Sequence, residues 1–179
     1  MKTVAIIQAR MGSTRMPGKV MQVICGTPMI GLLLERLGGS NRIDQIVVAT
    51  SSDPRNDALE TYVSNKGFDV FRGSEDDVLD RYYQAARQSC AEMVVRITGD
   101  CPLIDPELVD IMISKLSTSD LDYASNTIDP TYPDGLDAEV MTFSALEKTW
   151  KEATAPGDRE HVTPYLKNNA IMRREIIHN

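Results

Sequence analysis

TVAIIQARMGSTRMPGKV, residues 3–20, joins an unbroken apolar run to a loop rich in glycine, hydroxyl and cationic residues. Thr3 to Gln8 has the length and the β-branched content of a buried strand. Behind it, Gly12 and Gly18 allow tight turns, Ser13 and Thr14 bring hydroxyls, and Arg10, Arg15 and Lys19 bring three cations with no acid among them. The first carboxylate in the chain is Glu35. A loop of this kind at the carboxyl end of a buried strand supplies what an oligophosphate needs: oriented N–H dipoles and fixed positive charge. It has neither the G-x-x-x-x-G-K-[ST] order of a Walker A loop nor a G-x-G-x-x-G dinucleotide turn. From composition alone it is also compatible with a solvated Gly/Arg turn.

The rest of the chain narrows the class. Its 179 residues suit one domain with a single core of ordinary size. No window approaches the length of a membrane span, and the N-terminus reads as a core strand after one lysine and not as a secretory signal, so a cytoplasmic enzyme with no membrane partner is expected. Cys25, Cys90 and Cys101 are too few and too scattered for a disulfide framework or a C-x-x-C metal site. A net charge of −7 argues against a nucleic-acid surface. Four cations precede any acid, leaving an acidic body with one locally positive region, which fits a small anionic ligand better than a polymer.

Apolar runs alternate with helical patterns. Strands are expected at 3–8, 45–49, 69–71, 93–97 and 139–142. Helices are expected from Pro28 as first residue, over 56–66 ending at Gly67, over 77–90, and over 106–116 after Asp105 as N-cap. Short, nearly all-apolar strands between helices imply a mostly parallel sheet covered on both faces. Residues 125–136 read as a long functional loop. In such sheets ligands bind beyond the carboxyl ends of the strands, where strand order reverses. Segments 9–19, 50–55, 72–77 and 98–105 all fall there.

Asp100, in RITGDCPLID, sits just past the strand MVVRI. A carboxylate on a rigid strand end suits Mg²⁺, which takes one or two carboxylates, waters and substrate phosphates; a turn or cap is the structural alternative. The small residues Ala49, Thr50 and Ser51 permit close approach to a ligand, while Asp53 or Asn56 can cap the next helix. Asp76 or Asp77 fits a helix cap, and Tyr82 and Tyr83 fit the core. Asp134, Asp137 and Glu139 form an acidic loop that can bind sugar hydroxyls, complete a metal shell or stand solvated, with Asn126 a neutral contact on the same face. His161, in DREHVTPYL on an expected helix, is read as structural, and nothing pairs it with a nucleophile, so a hydrolase triad has no support.

The segment IQARMGSTRMPGKVM resembles the N-terminal signature of the CMP-sugar synthetases, the cytidylyltransferases that activate acidic sugars, within the branch named for the spore-coat polysaccharide protein F. The resemblance continues through GSEDDVLDRY, RITGDCPLIDPELVD and YPDGLDAEV to REHVTPYL. It implies a three-layer α/β/α sandwich, Rossmann-like, of the nucleotide-diphospho-sugar transferase (GT-A) type. It also implies transfer of a cytidylyl group from CTP to an acidic sugar of the ulosonate or nonulosonate type, with Mg²⁺ and with release of pyrophosphate.

On that reading Asp100 is the metal ligand and Arg10, Arg15 and Lys19 hold the triphosphate. Gln8, Ala9, Gly12, Ser13, Ala49, Thr50, Ser51, Arg72, Gly73 and Ser74 surround the nucleotide, and Asn126, Asp134, Asp137 and Glu139 meet the sugar. A homodimer is compatible with it. Members of the family usually continue past the strand-like MRREIIHN at 172–179 into a segment whose aspartate is a second metal ligand, so the expectation is a single domain without that segment. The rival readings are a sugar-1-phosphate-type nucleotidyltransferase, whose Gly-Gly opening is replaced here by Gln8-Ala9-Arg10, and a catalytically weak nucleotide-binding scaffold.

Overall fold

A computed structural model describes residues 1–13, 16–168 and 173–179. In chain order its elements are β1 (Thr3–Gln8), β2 (Val23–Ile24), β3 (Thr27–Pro28), α1 (Met29–Leu37), β4 (Gln45–Ser51), α2 (Asp57–Asn65), β5 (Asp69–Gly73), α3 (Val78–Gln88), β6 (Met93–Thr98), α4 (Pro106–Thr118), β7 (Tyr123–Ser125), β8 (Glu139–Thr142), α5 (Phe143–Glu152), α6 (Pro156–His161), α7 (Pro164–Asn168) and β9 (Arg174–Ile176). Seven strands form one sheet in the order β5-β4-β1-β6-β8-β7-β9. Only β8 runs against its neighbours, pairing antiparallel with both β6 and β7.

Alternation along β1 explains the layers. Val4 and Ile6 point to one face, where Leu79 and Tyr82 of α3, Leu146 of α5 and Leu166 of α7 cover them. Ala5 and Ile7 point to the other, packed with Leu33, Leu34 and Leu37 of α1, Leu59 and Val63 of α2, and Val109 and Met112 of α4. A strand buried on both faces reads as a near-continuous apolar run, and Val4 to Ile7 is one. The architecture is the expected three-layer α/β/α sandwich around a mostly parallel sheet.

Local chemistry sets the helix ends. Asp77 caps α3 by accepting from the Asp80 N–H at 2.9 Å, and Asp105 caps α4 through the Glu107 N–H at 2.9 Å. Tyr82 and Tyr83 are core residues. The Tyr82 hydroxyl reaches the carbonyls of Ile6 and Ile97, both at 3.2 Å, which ties α3 to β1 and β6. Pro28 differs from its expected place: it ends the small β2–β3 hairpin, and α1 begins one residue later.

Candidate functional site

β4 and β5 extend the sheet on one side of β1 and β6 extends it on the other, so chain order reverses between β1 and β6. Their carboxyl ends are pressed together there. The Gly99 N–H donates to the Gln8 carbonyl at 2.8 Å. A Cβ on Gly99 would lie 2.9 Å from the Ala9 Cβ and 2.9 Å from the Gln8 oxygen, so this crossing needs glycine.

Above the crossing opens a cavity of about 640 Å³. Gln8, Ala9, Arg10, Ser13, Met16, Lys19 and Val20 line it from β1 and the following loop, Arg96, Thr98, Gly99 and Asp100 from β6, and Glu160 and His161 from α6. The loop is held at two points. The Gly18 N–H, at a residue with φ 70, donates to the Met11 carbonyl at 2.8 Å, and the Met11 N–H donates to Asn56 Oδ1 at 2.8 Å.

Lys19 Nζ and an Asp100 carboxylate oxygen form an ion pair within this cavity. Burial raises the Asp100 pKa, but the hydrogen bonds from Lys19 and Thr98 outweigh it and hold the group below the ordinary carboxylate range. Asp100 is therefore anionic at neutral pH. Arg10 Nη1 pairs with Glu75 Oε1 at 2.7 Å. All four side chains of these two pairs keep between 28 and 44% exposure, so each pair contributes about 0–1 kcal/mol and opens easily to an anion.

Gln8, Ala9, Arg10, Ser13, Lys19 and Asp100 thus share one cavity. Arg15 lies outside the described residues. Gly12 faces away from the cavity lining, toward Arg55 and Glu75.

The structure does not bring the other expected nucleotide residues to the cavity. Ala49, Thr50 and Ser51 are wholly buried at the end of β4. Ser51 Oγ accepts from Asn56 Nδ2 at 2.7 Å, so it supports the loop anchor. Arg72 bonds the carbonyls of Ser51 (3.2 Å) and Asp53 (2.9 Å) and pairs with Asp57 (2.7 Å) and Glu60 (2.5 Å), because β5 lies at the sheet edge beside α2. The Gly73 carbonyl receives Ser52, and Ser74 Oγ receives the Asp77 N–H. A smaller adjoining cavity of about 120 Å³ is lined instead by Val78 and Arg81 of α3, with Gln8, Ala9, Arg10, Glu160 and His161.

On the opposite side, a third cavity of about 140 Å³ shares Arg96 and Thr98 with the large one and adds Thr127, Asp137, Glu139 and Lys167. Glu139 is 1% exposed. It pairs with Arg96 and with Lys167 (2.9 Å) and accepts from the Tyr123 hydroxyl. Burial raises its pKa, but these two cations and the tyrosine bring it below the ordinary value. Arg96 in turn donates to Gln8 Oε1 at 3.0 Å, linking β8 through β6 to β1. Burial and the charges of Asp134 and Glu139 push Asp137 up.

Asn126 is withdrawn from this site: its side chain spans the loop base, donating to the Leu136 carbonyl and accepting from the Ala138 N–H, both at 2.9 Å. Asp134 is exposed outside the cavity lining. His161, read from sequence as structural, is an exposed wall residue.

Sequence reasoning missed Arg81, Arg96, Thr98, Glu160 and Lys167 as wall residues. Arg96 carried a signal, since a cation inside the apolar strand MVVRIT needs a buried partner. The others come from distant segments, and only packing brings them to this edge.

A cytidylyltransferase family model matches residues 4–178. The spore coat polysaccharide biosynthesis protein SpsF of Bacillus subtilis is 37% identical over 174 residues, which cover 94% of this chain and 71% of the relative. A 3-deoxy-manno-octulosonate cytidylyltransferase of Geobacter metallireducens is 32% identical over 116 residues, 65% of this chain and 45% of the relative. A solved structure of a cytidylyltransferase from Leptospira borgpetersenii is similar at a TM-score of 0.96 and 37% identity, over 100% of this chain and 76% of that one. With this site at the β1–β6 crossing and a match over nearly its whole length, the chain belongs to the cytidylyltransferase family.

Proposed function

We propose that the chain transfers a cytidylyl group from CTP to an acidic sugar of the ulosonate or nonulosonate type, for surface polysaccharide synthesis. The observation that carries this reading is the meeting of Lys19 and Asp100 in the cavity at the β1–β6 crossing. There a cationic loop and one anionic carboxylate face the same space.

The acceptor hydroxyl attacks the α-phosphorus in line; a P–O bond forms as the bond to the pyrophosphate oxygen breaks, and the hydroxyl proton is lost to water. Arg10 and Lys19 exchange their carboxylate partners for phosphate oxygens and stabilise the charge gathering on pyrophosphate; Arg15 is assigned the same task from sequence. The cavity containing Arg96, Lys167, Glu139 and Asp137 is assigned to the acceptor; Arg96 and Lys167 both pair with Glu139 there, so an acidic acceptor competes with that carboxylate for them.

The donor set fits Mg²⁺ carried in by CTP. Among the described residues no group of three or more His, Cys, Asp or Glu side chains stands ready for an ion, and Asp100 brings a single carboxylate. Asp100 would hold the metal, which when bound neutralises phosphate charge and orients the triphosphate. The same reading places the protein in the cytoplasm, in keeping with the lack, among the described residues, of any helix long and apolar enough to cross a membrane. A homodimer belongs to it as well, and sedimentation checks this.

Pyrophosphate release, measured with each of the four nucleoside triphosphates against acidic and neutral sugars in the presence of Mg²⁺, tests the proposal. Release confined to CTP with an acidic sugar supports it. Equal release with any triphosphate, or with neutral sugars alone, contradicts it.

A further inference from the structure

We propose that Glu160 recognises the ribose of the bound nucleotide by accepting a hydrogen bond from its 2′-hydroxyl. This rests on the nucleotide reading of the cavity and adds a specificity residue to it.

The two cavities on the α6 side have five residues in common: Gln8, Ala9, Arg10, Glu160 and His161. The larger one holds Lys19 and Asp100, the groups suited to phosphate and its cation. The smaller one has an apolar wall in Val78 and a planar cation in Arg81, which is 2% exposed and whose Nε finds no acceptor. A flat polar heterocycle suits the smaller cavity, since a buried donor without a partner is costly. In a nucleotide the ribose is the covalent link between base and phosphates. It must therefore lie against the wall that the two cavities share.

Two of the five shared side chains already have partners, and one has no polar group. Gln8 Oε1 receives Arg96, Arg10 is paired with Glu75, and Ala9 offers only a methyl. Among the described residues no hydrogen bond or ion pair engages the side chains of Glu160 and His161. A carboxylate is the usual acceptor for a ribose hydroxyl in α/β nucleotide sites, and Glu160 is the one carboxylate on this shared wall.

The chain is anchored on either side of these two residues. Arg159 grips the Asp77 carboxylate, with Nη2 at 2.5 Å and Nε at 3.1 Å, and its Nη1 donates to the Trp150 carbonyl at 2.8 Å. Immediately after His161, the wholly buried Val162 adopts φ 72, and the Thr163 N–H donates back to the His161 carbonyl at 2.8 Å. A γ-turn with positive φ at a β-branched residue is strained, and such strain persists where the surroundings over-determine it, often at ligand clamps.

Calorimetric titration of the full chain with CTP and with dCTP, in Mg²⁺, tests the assignment. The parent should prefer CTP by roughly ten- to a hundredfold, the worth of a hydrogen bond to a charged acceptor. Glu160→Ala should abolish that preference by weakening CTP while leaving dCTP within about twofold, and Glu160→Gln, which keeps an acceptor oxygen, should retain part of it. Equal loss for both nucleotides in Glu160→Ala, or a preference that survives it, overturns the ribose assignment while leaving the nucleotide site standing. Failure of the parent to bind CTP at all overturns the nucleotide reading and this assignment together.

Discussion

Gly99→Ala probes the crossing of β1 and β6 at which the large cavity opens. Gly99 is not among the residues with positive φ, so alanine suffers no backbone penalty there and the effect is steric. The new methyl would stand 2.9 Å from the Ala9 Cβ, 2.9 Å from the Gln8 carbonyl oxygen and 3.3 Å from the Ala9 Cα. Comfortable carbon–carbon contact is about 3.5–4.0 Å, so the two strand ends must part by roughly 0.5–1 Å. The Gly99–Gln8 hydrogen bond, now 2.8 Å, stretches with them.

Forcing one methylene-sized group into a packed site costs roughly 1–3 kcal/mol. At about 2–4 °C per kcal/mol for a chain of this size, the melting temperature should fall by roughly 2–12 °C. Catalysis should suffer more, because the parting separates Asp100 from the Arg10 and Lys19 loop, and a misplacement near 1 Å costs about a hundredfold in rate. Scanning calorimetry and pyrophosphate release read the two effects. A variant with unchanged melting temperature and unchanged turnover would refute the claim that the close crossing positions the site.

Lys19→Ala should lower turnover by about a hundred- to a thousandfold, with a stability change of only about 0–1 kcal/mol; kinetics within twofold of the parent would make Lys19 a surface residue. Glu139→Ala leaves Arg96 buried beside a lost counter-ion and should destabilise the fold by about 3–5 kcal/mol in urea denaturation, whereas a loss below about 1 kcal/mol would return Glu139 to a purely sugar-binding role. Asp137 has a raised folded pKa, so its ionised form opposes folding. That penalty is absent below the unfolded carboxylate pKa of about 3.9 and grows as pH rises through the folded value. Asp137→Asn should therefore raise the melting temperature at pH 7 and lose that gain at about pH 3; an equal gain at both pH values would contradict the shift.

Most of the central fold is legible in the chain because its strands are buried on both faces. TVAIIQ, QIVVA and MVVRI need no neighbour to be recognised, and their parallel pairing follows from the helices between them. β7, three residues long, is a strand only because a ladder accepts it, whereas β9 falls inside the strand-like segment 172–179. The helix α5 went unread, although Phe143, Leu146 and Trp150 carry its helical spacing, whereas the helix carrying His161 is among those expected. The site divides in the same way. Arg10, Lys19 and Asp100 are local to one strand end each, and cations without acids announce a ligand. Ser51 and Arg72 look equally suited on paper, yet Asn56 claims the first and α2 claims the second. Glu160 and Lys167 reach the cavities through the packing of α6 and α7, and no spacing along the chain encodes that.

A crystal structure of the chain with CTP and Mg²⁺ tests the central claim most directly. The triphosphate is expected in the cavity of about 640 Å³, with Lys19 turned from Asp100 to phosphate oxygens and the base beside Val78 and Arg81. CTP bound elsewhere, with the Lys19–Asp100 pair intact, would contradict it.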